Sequence, residues 1–172
     1  GTLILTGNNT YTGGTLISEG TLQIGNGGTT GDIVGDVVNN ASLVFNRSGT
    51  YTFTGAITGS GDVAFTGGGT VSFSSPYQGP VTVDETTVTL VAGTVSGSPF
   101  TVNGGGHLGG TATIGGLVVN SGGVVGPGYS PGTLTVSGTV TFNAGSVYQV
   151  DVTPSGAHDL IVASGDVTIS SD

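Results

Sequence analysis

Apolar residues fall in short clusters at 3–5, 16–17, 22–24, 33–38, 43–45, 51–53, 63–65 and 71–73. They resume at 81–83, 88–91, 100–102, 117–119, 134–136, 140–142 and 147–152. Val and Thr dominate these runs, and Gly, Ser, Asn or Pro ends each one, which reads as strand, turn, strand with no room for a helix. Runs this short bury themselves only by stacking on copies of themselves, as in a solenoid. With three strands per coil of about 20 residues, the chain supplies roughly eight coils, and stacking at ~4.8 Å gives a rod about 40 Å long.

The triplet Gly-Thr-Leu or Gly-Thr-Val recurs from Gly1, Gly14, Gly20, Gly69, Gly93, Gly132 and Gly138. It reads as a coil corner, with Gly at a positive φ, Thr facing solvent and the aliphatic residue pointing into the lumen. Asn8-Asn9 and Asn39-Asn40 read as ordinary turns in preference to stacked ladders. The last third changes its grammar: Pro127, Pro131 and Pro154 appear, and Tyr148 sits in a long strand-like run. The pattern divides the chain into β-helix coils over 1–103 and a capping or nucleating end over 104–172, as an otherwise open end requires. With neither a signal peptide nor an initiating Met, Gly1 reads as a boundary inside a larger protein, and Asp172 reads as another because residues 166–169 read as a strand in an unfinished rung.

Composition narrows the function classes. Of 172 residues 36 are Gly, and Arg47 is the sole Lys or Arg against 10 acids, for a net charge of −9. That balance lacks the electrostatic attraction that supplies most affinity for nucleic acids and anionic lipid. Without cysteine there is no disulfide, no thiolate zinc ligand and no thiol nucleophile.

Several motifs match chemistry by letter. Gly128-Tyr129-Ser130-Pro131-Gly132 fits the nucleophile elbow GxSxG, with Asp151 and His158 following in hydrolase order. No helix follows, however, and Pro131 lacks the N–H an oxyanion hole needs. Gly104, Gly106 and Gly109 spell GxGxxG, yet no βαβ unit surrounds them. The tight acid pairs are Asp32 with Asp36 and Asp84 with Glu85, the pattern a polysaccharide-cleaving β-helix would use; solvated turn acids explain them more simply. His107 and His158 each stand far in sequence from a second ligand. Thr-x-Thr pairs recur at irregular intervals, which suits exposed strand threonines better than an ice-binding array. Catalytic, metal and cofactor residues are therefore expected to be none.

Residues 126–136, GPGYSPGTLTV, then 140–148, VTFNAGSVY, then 159–162, DLIV, resemble in order the autochaperone end of a bacterial autotransporter passenger. Residues 1–28 resemble the passenger-associated repeat of the same family. The resemblance implies a right-handed parallel β-helix whose C-terminal part acts in folding and secretion. It also implies an outer-membrane β-barrel elsewhere in the intact protein, export to the cell surface, and adhesion to host cells or matrix through other passenger parts. The alternative is a piece of a secreted polysaccharide-acting enzyme. Leu134, Val136, Val140, Phe142, Tyr148 and Val150 are the expected packing groups of the folding nucleus, with Gly126, Gly128 and Gly132 as its turn formers.

Overall fold

The computed structural model describes residues 1–74, 76–90, 97–128 and 131–170. Every named element is a strand and every strand pair is parallel. The chain coils into a parallel β-helix with three walls. The first wall is a nine-stranded sheet that runs from Thr2–Leu5 at one end to Val167–Ile169 at the other. The second has six strands, from Thr50–Phe53 to Val147–Tyr148. The third is in two pieces of three strands: Thr15–Ile17, Val37–Asn39 and Ile57–Thr58, then Thr113–Ile114, Thr133–Val136 and Leu160–Ala163.

Period-2 alternation decides what faces the lumen. In the first wall Leu3, Leu22, Leu43, Val63, Val81, Phe100, Leu117, Val140 and Val167 stack in register. In the second wall Tyr51, Val71, Val88, Leu108, Val125 and Tyr148 do the same. The buried members form one apolar cluster along the axis. Coil length is not constant: the step is 17 residues from Phe100 to Leu117 and 27 from Val140 to Val167. Extra residues collect at corners, so the columns keep their register. Pairing is continuous across residues 103–104, because Pro99–Val102 bonds both to Val81–Val83 and to Gly116–Val119.

The corner triplets work differently from the expectation. Gly14 and Gly20 do adopt positive φ, at 78° and 74°. Gly69, Gly132 and Gly138 do not; crowding demands glycine there, by the neighbouring coil at Gly69 and Gly138 and by Gly128 of the same turn at Gly132. A Cβ at Gly138 would lie 2.1 Å from the carbonyl oxygen of Gly115, and one at Gly69 would lie 2.5 Å from that of Gly49. The Gly93 triplet lies outside the described residues. Leu16, expected in the lumen, is 68% exposed, and Ile17 takes the inward position.

Polar groups also enter the interior, Tyr77 and Arg47 among them. Tyr77 is buried between the two pieces of the third wall, its hydroxyl accepting from Asn39 Nδ2 (3.1 Å) and donating to the Gly61 carbonyl (2.5 Å). Arg47 is also buried. Its guanidinium donates to the carbonyls of Gly31 and Thr29 and lies 4.4 Å from the centre of the Tyr51 ring, so the carbonyls and the ring face share the charge.

Candidate functional site in the C-terminal coils

Where the first wall turns into the second, three successive coils make the same corner. Asn103, Asn120 and Asn143 open it, and in each the backbone N–H three residues on donates to the Asn carbonyl: Gly106 at 2.9 Å, Gly123 at 2.8 Å and Ser146 at 3.0 Å. Gly105, Gly122 and Gly145 occupy the third position with φ of 79°, 76° and 74°, the geometry of type II turns. The asparagine side chains join the turns into a ladder: Asn143 Nδ2 donates to Asn120 Oδ1 (2.7 Å), and Asn120 Nδ2 to Asn103 Oδ1 (2.8 Å). The same corner one coil earlier holds Glu85 at φ 51°, the one positive-φ residue besides glycine among the described residues. The expected turn asparagines behave otherwise, since Asn9 and Asn39 donate to backbone carbonyls.

The long final step contains a small hairpin over residues 151–159, closed by an antiparallel bridge between Val152 and His158. Asp159 fastens it. This carboxylate is 3% exposed; one oxygen accepts from the Gly132 N–H (2.7 Å) and the other from the Asp151 N–H (3.0 Å). Two backbone donors satisfy the buried charge and tie the hairpin to the turn beside Pro131. Tyr148 adds a longer bond from its hydroxyl to the Asp159 carbonyl, at 3.3 Å.

Leu134, Val136 and Val140 are buried in the lumen, and Phe142 packs against the cluster half-buried. Tyr148 and Val150 are 39% and 43% exposed. The reason is position: Tyr148 lies on the edge strand of the second wall and stacks only on Phe142, ring centres 6.0 Å apart, and Val150 lies beyond that strand. Gly128 turns at φ 85°. Gly132 is needed for approach, since a Cβ on it would lie 2.3 Å from Gly128 Cα. Gly126, expected in a turn, is inside the strand Val124–Pro127, where its missing side chain leaves room for the His107 ring.

Three of the remaining acids are engaged with the fold through their side chains. Asp32 accepts from the Tyr51 hydroxyl (2.8 Å), Asp36 from the Ala56 N–H (2.8 Å) and Asp62 from Ser42 (2.7 Å). Burial and the Asp32 hydrogen bond push the Tyr51 hydroxyl well above the ordinary phenol range, so that pair holds its proton. Among the described residues no three His, Asp or Glu side chains gather as metal ligands would. Tyr129 and Ser130, the centre of the GxSxG match, lie outside the described residues. The sequence motifs include Asp159 and Asn143 but do not reveal the clip or the ladder. The repeated Asn-x-Gly at 103, 120 and 143 was the available signal for the ladder.

Two likenesses to known proteins bear on this geometry. The passenger-associated-transport-repeat family model matches residues 1–24. That segment is one coil of this structure, from the first-wall strand Thr2–Leu5 through Thr15–Ile17 to the next first-wall strand. A 51-residue stretch is 63% identical to the adhesin BmaC autotransporter of Brucella suis biovar 1 (strain 1330), covering 30% of this chain and 2% of that protein's length. With the repeat forming one coil and the coils stacking into a rod, the chain folds as a parallel β-helix and, in these matched stretches, is similar to autotransporter passengers.

Proposed function

We propose that this segment is a non-catalytic stalk of a surface adhesin and that its C-terminal coils, from Gly104 on, nucleate folding during export. As a passenger segment it travels across the outer membrane to the cell surface or beyond, through a β-barrel belonging to the same intact protein. Contact with host cells or matrix falls to other parts of the passenger, which the rod holds away from the membrane.

The observation that carries the nucleation role is the pair of polar staples in residues 103–159, the asparagine ladder and the Asp159 clip. In a one-dimensional stack each coil gains most of its stability from its neighbour, so a coil whose register is pinned lowers the cost of adding the next. Each added coil buries several large side chains at about 1.5–3 kcal/mol apiece before chain entropy is subtracted, a gain that draws the chain outward without ATP.

Refolding the two halves separately from urea tests this. Residues 101–172 alone are expected to regain β circular dichroism and to template residues 1–100 when both are present. If residues 1–100 fold unaided while 101–172 stay unstructured, the nucleation role is lost and the tail is a set of ordinary coils.

A further inference from the structure

His107 lies on the outer face of the second wall, opposite Thr87 on one side and Val124 on the other. Its ring leans across the glycine backbone of the next coil: a Cβ on Gly126 would sit 3.2 Å from Nε2 and 3.7 Å from the Cβ of Gln149, one coil further on. Nε2 is fully buried and has no hydrogen-bond partner. Around it is a groove of about 160 Å3 whose lining includes His107, Gly126, Gln149, Asp151 and Asp159. The ring thus shares its groove with Asp151 and Asp159 at the base of hairpin 151–159, where Asp159 makes its two backbone bonds. A neutral ring can keep an unpaired lone pair in such a place, whereas a cation there needs an acceptor or water.

We propose that His107 is a proton-sensitive latch: hairpin 151–159 stays closed over the neutral imidazole and opens when the ring takes up a proton. Burial supports the direction, since desolvation holds this imidazole below the ordinary value of 6.5. The closed hairpin binds the proton less well than the open one. Its stability is therefore complete above the ordinary imidazole range and declines as pH falls toward the lowered value. The charged groups in the groove are Asp151 and Asp159. Asp159 already accepts from two amides, and the flanking Thr87, Val124 and Gly126 carry no charge. His158, in the hairpin itself, is exposed with Nδ1 3.1 Å from the Gly156 carbonyl, and is the rival sensor.

Amide hydrogen exchange on the whole chain between pH 7.5 and 5, expressed as protection factors, reads the latch at the Gly132 and Asp151 amides. Protection is expected to fall by up to about tenfold per pH unit below the ordinary imidazole range. The fall should vanish in His107→Phe, which keeps an aromatic ring on the glycine shelf, and should persist in His158→Gln. A flat profile in the natural chain, a fall that survives His107→Phe or disappears in His158→Gln, or protection that rises toward acid through attraction to Asp151 and Asp159 would each overturn the proposal. Should His107→Phe fail to fold, NMR titration of the His107 ring in the natural chain decides. A value below the ordinary imidazole supports the latch, and one at or above it removes it.

Discussion

Between residues 42 and 102 the lumen is filled with aromatic rings, whereas between 103 and 159 it is mostly aliphatic and polar side chains staple the corners. Phe45 stacks on Phe65 at 5.2 Å and meets Phe53 and Tyr51 at 5.4 and 5.7 Å, while Phe65 meets Phe73 edge-on at 5.3 Å. In the later coils the column of Phe45 and Phe65 continues through Val119 and that of Tyr51 through Leu108 and Val125, and rings return only in the last coil, as the partly exposed Phe142 and Tyr148. The difference teaches that burial and register are separate problems in a solenoid. Rings supply area and dispersion and tolerate small shifts along the strand. An Asn ladder adds little area, yet a one-residue slip of any of its three coils breaks every ladder bond that coil makes.

The largest expected effect tests the ring column. Phe65→Ala should lower stability by about 3–5 kcal/mol in urea unfolding, because it leaves a cavity between Phe45 and Phe73. A loss below about 1 kcal/mol would mean that the rings are not the main store of stability in this half. On the stapled side, Asp159→Ala strands two buried amide donors and should remove about 2–3 kcal/mol. Exchange should then accelerate near residues 128–160 and leave the ring column protected. Asn120→Ala breaks both ladder bonds and should cost about 1–2 kcal/mol, Asn103→Ala about half as much; equal losses would show that the bonds do not act as a ladder. A last, small effect has the opposite sign. Glu85→Gly should raise stability by about 1 kcal/mol, since it relieves a side chain at φ 51° in a column whose later members are glycine.

The strands were legible because alternation is local: Thr70-Val71-Ser72-Phe73 announces its inward residues without help from any other coil. The staples were far less legible: Asn-x-Gly recurs at 103, 120 and 143, but the bonds exist only once coils are aligned. Asn103, Asn120 and Asn143 are separated by 17 and 23 residues, and no fixed period would pair them. Asp159 meets Gly132 across 27 residues and could have been read as one more turn acid. The glycines were legible as corners, but the reason for many of them is the backbone of the coil above, which a single stretch of sequence does not display. Leu16 shows the converse error, a triplet that matched while the lumen position had moved to Ile17.

The parallel stacking has a mechanical consequence. Every inter-coil hydrogen bond lies along the rod, so a pull from end to end loads these bonds one layer at a time, as in a zipper, and not all together in shear. Each layer that yields replaces ~4.8 Å of rod with up to about 65–70 Å of extended chain for a coil of about 20 residues. A tether built in this way lengthens in steps under load, and the coil with the weakest staples lets go first.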